Sequence, residues 1–210
     1  MGPVVPAVPR GTRELWVLLL IVGTALFISG VRPLDRSTWF MEVGPVILGV
    51  PILLATFRRF RLTPLLYRLL FAHALILIVG GHYTYAEVPA GFWLQDLLDL
   101  SRNHYDRLGH LVQGFVPAIL ARELLVRTSE LRPGRWLFFL CLSVSLAFSA
   151  FYELIEWWAA VLLGESAAAF LGTQGDPWDS QWDMCLALCG AVLSLTLLGR
   201  IHDRALNSLT

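Results

Sequence analysis

The stretch SRNHYDRLGHLVQ, residues 101–113, places ionisable side chains at the start of an apolar segment that runs to Val126. Ionisable side chains inside a membrane-spanning segment are costly and usually face a protein interior, so they mark a candidate functional site. Two later stretches have the same character, YELIEW at residues 152–157 and GDPWDSQWD at residues 175–183. The rest of the chain can be interpreted around these three stretches.

The composition is that of a membrane protein. Of the 210 residues, 56% are hydrophobic and only 15% are charged, and the mean hydropathy is +0.64. Several apolar runs approach the roughly 20 residues that cross a hydrocarbon layer about 30 Å thick. A soluble protein with buried helices would have to hide too many such runs in one small domain. The formal net charge of +0 argues against a nucleic-acid partner, which would require a basic surface.

The apolar runs predict an all-α, polytopic membrane protein with a bundle of about six transmembrane helices. The predicted spans lie near residues 15–31, 38–57, 64–80, 108–126, 136–163 and 182–199, within a single domain over residues 15–200. Residues 1–14 are expected to be a flexible cytoplasmic tail, and residues 201–210 a second cytoplasmic tail. The pattern around Trp93 predicts a short helix at the membrane interface, between the third and fourth spans.

The distribution of arginine predicts the orientation. All 16 cationic residues are arginine. If the N-terminus is inside, only Arg32, Arg36, Arg102 and Arg107 fall outside, and the other twelve are cytoplasmic. Because loops rich in positive charge stay inside, both termini are expected in the cytoplasm.

In this topology, polar residues far apart in sequence reach one depth near the outer face. The candidate catalytic residues are Asp106, Arg107, His110, Glu153, Glu156 and Asp183. The candidate substrate-binding residues are His82, Tyr83, Tyr85, Gln113, Asp176 and Asp179.

The spacing of these residues indicates shared helical faces. Asp106 and His110 are four residues apart, and Glu153 and Glu156 are three apart. Two carboxylates one turn apart near a bilayer repel each other unless a partner offsets them. Three partners remain open: the Arg107 guanidinium, a divalent metal ion held by His110, Glu153 and Glu156, or a proton shared in a general acid–base pair.

Structural interpretations stand beside the functional ones. His110 can simply bond Asp106, and the two glutamates can form an interhelical network. Asp176 and Asp179 lie among glycine, proline and tryptophan, where Asx turns are common. His82, Tyr83 and Tyr85 fit an interfacial aromatic belt.

Other residues are given structural roles. His73 is expected to be a packed, hydrogen-bonded histidine, whereas His104 and His202 are expected in loops. A stripe of Asp183, Ala187, Gly190 and Ser194, at steps of four and three residues, predicts close approach of another helix to the sixth span.

The sequence lacks several catalytic motifs. Its three cysteines form no zinc motif, and it contains no Gly-rich phosphate loop, no HExxH and no Gly-x-Ser-x-Gly elbow. The pair Ser101-Arg102 is not followed by histidine at the spacing of the membrane phosphatidic acid phosphatases, so that family is excluded.

Four stretches resemble the YjdF family of bacterial inner-membrane proteins: HYTY at 82–85, YDRLGH at 105–110, YELIEW at 152–157 and GTQGDPWD at 172–179. The resemblance covers residues 81–190 and implies a multi-pass protein of the bacterial inner membrane. It implies no settled reaction.

More distantly, the chain is similar to VanZ-like membrane proteins. Their acidic-basic-x-x-His pattern fits Asp106, Arg107 and His110. Their Glu-x-x-Gln pattern fits Glu153 but finds Glu156 in place of glutamine, and their Asp-x-x-x-Asn-x-x-Gly pattern fits Asp183 and Gly190 but finds Ala187 in place of asparagine. This similarity implies a shared scaffold rather than a shared substrate.

The leading hypothesis is a membrane enzyme that acts on a lipid or lipid-linked envelope substrate, with a divalent metal ion as a possible cofactor. Two alternatives stay open. One is a non-catalytic envelope or assembly factor, and the other is a proton- or ion-coupled transporter. Whether the protein is an enzyme, and its oligomeric state, do not follow from the sequence.

Overall fold

Long helices alternate with short connections along the chain. The computed structural model describes residues 10–164 and 168–209. Within these ranges the helices are α1 (Arg10–Gly30), α2 (Arg36–Thr56), α3 (Pro64–Tyr83), α4 (Pro89–Leu98), α5 (Tyr105–Thr128), α6 (Arg135–Leu163), α7 (Ala168–Leu171) and α8 (Asp179–Asn207), with a 3-10 turn at Tyr85–Glu87 between α3 and α4. Six of these helices, α1, α2, α3, α5, α6 and α8, are long and apolar enough to cross a membrane. The predicted all-helical polytopic fold is confirmed.

Side-chain caps determine where two of the spans begin. The carboxylate of Asp35 accepts a hydrogen bond from the backbone N–H of Thr38 at 2.6 Å, which starts α2. The hydroxyl of Thr63 accepts one from the backbone N–H of Leu66 at 3.3 Å, and Pro64 occupies the first turn of α3. Such caps satisfy backbone donors that have no partner inside the helix.

The helices extend beyond the apolar segments from which they were predicted. The fourth and sixth spans were expected from residues 108 and 182, but α5 begins at Tyr105 and α8 at Asp179. The sixth span was expected to end near residue 199, whereas α8 continues to Asn207. Hydropathy reports the membrane-crossing part of a helix, while backbone hydrogen bonding continues through polar residues. Residues 1–9 of the predicted flexible tail lie outside the described part of the chain.

Helix α5 is the central helix of the bundle, in contact with α3, α6 and α8. In the most apolar part of α5, 56% of the residues are buried, whereas in that of α1 only 11% are buried. A helix that other helices surround can carry polar side chains away from lipid. The ionisable residues of α5 are therefore placed inside the protein.

Small residues bring α5 and α8 into direct contact. A Cβ atom added at Gly114 of α5 would overlap the backbone carbonyl of Ala187, and one added at Gly190 of α8 would overlap that of Leu111. Asp183, Ala187, Gly190 and Ser194 are all buried, as the small-residue stripe predicted. This close approach carries the Asp183 side chain against α5.

Candidate functional site

The imidazole of His110 lies at the centre of a buried carboxylate cluster, at the end of the bundle where α5 and α8 begin. Its Nε2 is 3.5 Å from Oδ1 of Asp106, one turn earlier on α5, and 3.9 Å from Oδ2 of Asp183 on α8. Its Nδ1 is 3.8 Å from Oε1 of Glu153 on α6. All four side chains are buried, so three helices bring these charges together away from solvent.

Two groups in this cluster have the geometry to hold a metal ion. In each group, one ligand atom per residue lies within 4.8 Å of the others; the groups are His110 with Glu153 and Glu156, and Asp106 with His110 and Asp183. Two ligands about 2.1 Å from one ion in tetrahedral geometry are roughly 3.4 Å apart. Small side-chain adjustments would therefore complete either site.

Unpartnered atoms distinguish the two groups. Nδ1 of His110, both carboxylate oxygens of Glu153 and Oδ1 of Asp183 are buried without a hydrogen-bond partner among the described residues. Buried polar atoms nearly always have partners, and a functional site or a missing ion commonly explains an exception. Because Nδ1 and Glu153 are both unpartnered, the group of His110, Glu153 and Glu156 best fits a metal ion. The sequence predicted the same three residues as metal ligands, and this assignment stays a prediction.

Arginine does not neutralise this cluster. Among the described residues, no arginine lies within ion-pair distance of Glu153, Glu156 or Asp183. Arg107, one of the partners considered from the sequence, instead binds Asp176 at 2.7 Å and stacks over the ring of Trp182 at 5.3 Å. The cluster therefore contains more buried carboxylates than cationic groups.

The candidate substrate-binding residues Asp176 and Asp179 form ion pairs with arginines next to the cluster. Arg102 binds Oδ1 of Asp179 at 2.8 Å and lies 3.7 Å from Asp176. Asp176 also accepts a hydrogen bond from the backbone N–H of Trp178 at 2.9 Å, which is the Asx turn considered from the sequence. The loop before α8 is thereby joined to the loop before α5.

A pair of amide side chains strengthens the same junction. Gln174 accepts a hydrogen bond from the backbone N–H of Asn103 at 3.2 Å and donates one to its carbonyl at 2.8 Å. The side chain of Asn103 donates to the carbonyl of Val88 at 3.0 Å, just before α4. His104, in the adjacent loop as predicted, has a lowered pKa because burial and the nearby Arg107 and Arg102 guanidinium groups disfavour its charged form.

The three aromatic candidates at the end of α3 and just after it occupy different environments. Tyr85 is buried, and its ring lies between Gly80 of α3 and Gly109 of α5, where a Cβ atom on either glycine would overlap it. Burial and the nearby Glu42 carboxylate raise the pKa of the Tyr85 phenol well above its usual value, so the phenol stays protonated. In contrast, His82 is turned toward the Ser29 carbonyl of α1 at 2.8 Å, and Tyr83 is 36% exposed.

Two residues of the site were absent from the sequence-based set. Glu42 of α2 is buried, and its Oε2 accepts a hydrogen bond from the hydroxyl of Tyr152 of α6 at 3.2 Å. The ring of Tyr152 lies 6.4 Å from that of His110. Glu42 is an acidic residue within a predicted span, and the rule that such residues mark sites would have selected it.

A largely apolar cavity of about 510 Å³ opens onto the cluster. Its polar end includes Glu42, Tyr85, Asp106, His110, Gln113, Tyr152 and Glu156, and the rest of its lining comes mainly from apolar side chains of α1, α2, α3 and α5. Gln113, the remaining substrate-binding candidate, is buried one turn beyond His110. His73 is packed in this lining, but its Nε2 lacks the hydrogen bond that was expected.

A second buried polar cluster lies at the opposite end of α5 and α8. Glu123 of α5 accepts hydrogen bonds from the backbone N–H of Thr63 at 2.9 Å, the Thr63 hydroxyl at 2.7 Å and Arg127 at 2.8 Å. Nε2 of His202 lies 2.9 Å from Glu123, and Nδ1 of His202 lies 3.0 Å from Arg122. Since arginine only donates, Nδ1 accepts and Nε2–H donates to Glu123.

The prediction that His202 lies in a loop is wrong. His202 is fully buried within α8. It stands two steps of four residues after Ser194, so it continues the buried face of α8 beyond the apolar segment. The polar residues around it, at 200–204, hid this helical periodicity from a hydropathy-based interpretation.

Comparison with known proteins identifies the family. Residues 14–204 match the family described as "Predicted membrane protein (DUF2238)". The chain is 57% identical over 195 residues to the inner membrane protein YjdF of Escherichia coli strain K12, which covers 93% of this chain and 91% of that protein. No solved structure matches.

The chain therefore belongs to this YjdF family of inner-membrane proteins, and its predicted location in the bacterial inner membrane is confirmed. The more distant resemblance to VanZ-like proteins stays a prediction.

Proposed function

We propose that this member of the YjdF family is a membrane enzyme with a metal-assisted, outward-facing site that acts on a lipid or lipid-linked envelope substrate. The observation that carries the proposal is the uncompensated carboxylate cluster around His110, which opens into a membrane-embedded apolar cavity. Outward orientation follows from the arginine distribution, since the end that carries His110 has only four of the 16 arginines.

The ligands would be Nδ1 of His110 and the carboxylates of Glu153 and Glu156. Histidine and carboxylate together suit Zn²⁺ and similar divalent ions, and three protein ligands leave a position open to substrate. When bound, such an ion would act as a Lewis acid toward a phosphoryl or carbonyl oxygen.

The remaining carboxylates have separate roles in this proposal. If Nδ1 held such an ion, Nε2–H of His110 would face Oδ1 of Asp106, 3.5 Å away, and this contact would hold the ring orientation. Asp183 lies on the same side of the ring, and its Oδ1 has no partner. Because Asp183 does not line the cavity, it would support the charge and orientation of the His110 ring rather than exchange a proton with the substrate.

Packing between the two polar clusters argues against a proton path along α5 and α8. A proton path along α5 and α8 would need polar groups or water between His110 and Glu123. The interface there is formed by Gly114, Ala187 and Gly190, with backbone atoms in direct contact. This leaves no room for a chain of water molecules along that contact.

The experiment measures the metal content of the protein and its conversion of membrane lipids. Protein purified in detergent would be analysed by elemental mass spectrometry as wild type, His110→Ala, Glu153→Gln and His82→Asn. The last variant is the matched control, because His82 lies at the same end but bonds Ser29. We expect about one divalent ion per chain in the wild type and the control, and its loss in the other two.

The same proteins would then be incubated with an extract of bacterial membrane lipids, and the lipids compared by mass spectrometry. A product that requires both metal and Glu153 would support the enzyme. Stoichiometric metal with no converted lipid would favour the non-catalytic envelope factor. Equal metal content in wild type and Glu153→Gln would reject the assigned ligands.

A further inference from the structure

We infer that the apolar part of the cavity holds one hydrocarbon chain of a membrane lipid, with the lipid's head linkage placed at the His110 end. This inference rests on the proposed function and specifies its substrate class. Its basis is the shape, lining and exposure of the cavity.

The cavity has two chemically different ends. At one end the polar atoms of His110, Gln113 and Glu156 converge. Away from them the lining includes Val50, Leu53, Leu70, Ala74, Leu77 and Leu120, from three helices. An apolar pocket with a few convergent polar groups is the usual form of a small-molecule site, and about 510 Å³ lies within the common range of about 300–1,000 Å³.

The cavity is at least as long as one leaflet. Lining residues on α2 extend from Glu42 to Ala55, which at 1.5 Å per helical residue is about 20 Å, and Phe57 and Arg58 continue the lining just after the helix. One leaflet contributes about half of a hydrocarbon core roughly 30 Å thick. A single extended chain therefore fits the distance from the polar end to the far end of the lining.

The lining is also accessible from the side. Trp16 of α1, Leu54 of α2 and Phe148 of α6 line the cavity, yet they are 59%, 49% and 44% exposed. In a membrane-spanning bundle, exposed apolar side chains at this depth face lipid. A chain can thus enter laterally from the bilayer, where the neighbouring medium is already hydrocarbon. This favours a lipid chain over a peptide, whose backbone would lack hydrogen-bond partners there.

Two glycines on α2 provide a matched test. A Cβ atom added at Gly49 or at Gly44 meets nothing within 4 Å, so both positions accept a larger side chain without a backbone clash. Only Gly49 lines the cavity. Gly49→Phe would occupy part of the cavity, whereas Gly44→Phe makes the same chemical change on the same helix outside it.

The probe is a phosphatidylethanolamine with a photoreactive diazirine midway along one acyl chain. Each protein would be reconstituted in phosphatidylethanolamine–phosphatidylglycerol vesicles, irradiated and digested, and labelled peptides identified by mass spectrometry. We expect labelling of the segments that contain Leu70, Ala74 and Leu120. Gly49→Phe should lower this labelling roughly tenfold, which corresponds to a loss of about 1.4 kcal/mol in binding free energy. Gly44→Phe should leave the labelling unchanged.

Parallel metal analysis separates this inference from the proposed function. Equal labelling in Gly49→Phe and Gly44→Phe overturns the inference, because it would show only surrounding bilayer lipid. Labelling lost only in Gly49→Phe would support the lipid site. If the wild-type protein also contained no metal, the metal-assisted mechanism would be rejected while the lipid site stood. Should Gly49→Phe fail to fold, Ala74→Phe fills the same cavity from α3 and is judged by the same outcomes.

Discussion

The two buried polar clusters on α5 and α8 differ in how completely their charges are satisfied. At one end, Glu123 has donors for both oxygens, from Thr63, Arg127 and His202. At the other, both oxygens of Glu153 and Nδ1 of His110 are buried without a hydrogen-bond partner in the described part of the chain. The same pair of helices therefore carries a completed network and an incomplete one.

The difference indicates different roles. A satisfied buried network holds elements in register, and Glu123 joins the start of α3 to α5 and α8. An unsatisfied network stays costly until a ligand completes it, and such sites are usually functional. Mutations in the two clusters should therefore change stability in opposite directions.

The largest effect is expected at Glu123. Glu123→Ala would leave Thr63, Arg127 and His202 without their acceptor, and removal of one partner from a buried charged network costs about 3–5 kcal/mol. Thermal unfolding in detergent should show a large fall in Tm. The control is Glu14→Gln, because the ion pair of Glu14 with Arg68 joins side chains that are 40% and 61% exposed, and its loss should matter much less. Equal shifts would mean that the Glu123 network is not structural.

A smaller loss is expected where the two helices touch between the clusters. In Gly190→Ala the new methyl group would overlap the Leu111 carbonyl, and overpacking of this kind costs about 1–3 kcal/mol. Separation of α5 from α8 should also move Asp183 away from His110. Gly199→Ala, on the same helix in open space, should leave Tm the same or raise it slightly, because alanine favours a helix over glycine. Equal Tm values for the two variants would contradict the close contact between α5 and α8.

The opposite sign is expected at Glu153. In metal-free protein, Glu153→Gln removes one of several neighbouring buried carboxylates, so stability should stay the same or rise by up to about 1 kcal/mol. Adding a divalent ion should raise the Tm of the wild type but not of the variant. Since ligands must be deprotonated to bind metal, this gain should disappear as pH falls. A Tm loss comparable to that of Glu123→Ala would place Glu153 in a structural network instead.

The smallest effect is expected at Tyr83. Tyr83 is 36% exposed, and its ring packs edge-on against His82 at 4.7 Å rather than against the cluster. Tyr83→Phe should leave metal content and Tm unchanged, although the sequence had suggested a role in substrate binding. A clear loss of lipid conversion in Tyr83→Phe would restore that role.

Much of the site was predictable because it depends on depth along a helix. Asp106 lies just before a predicted span, and His110, Glu153 and Asp183 lie within predicted spans. Together with an antiparallel topology, these positions predicted that the four residues share one depth. The small-residue stripe on α8 predicted which face of that helix meets a neighbour. Both inferences use periodicity and hydropathy, which the sequence displays directly.

Other features depend on how each helix is rotated about its axis and on where the connecting loops lead, and these could not be predicted from the sequence. Tyr83 and Tyr85 are neighbours in sequence, but α3 ends between them and Thr84 takes φ +57°, so one ring faces outward and the other enters the bundle. Arg107 was placed by depth beside the glutamates, whereas the loop before α8 supplies Asp176 as its partner. Such choices are made by contacts between segments distant in the sequence.

The amino-acid sequence by itself determined the class of this protein, its long apolar helices and the depth of its ionisable residues, because hydrophobicity and helical period are properties of a single segment. Only the tertiary structure decided which charges are paired. Gly114 and Gly190 let α5 and α8 approach until Asp183 reaches His110, and the same contact brings His202 to Glu123. Hydrogen bonds and ion pairs depend on separations of a few ångströms between helices, and packing of whole helices determines those separations.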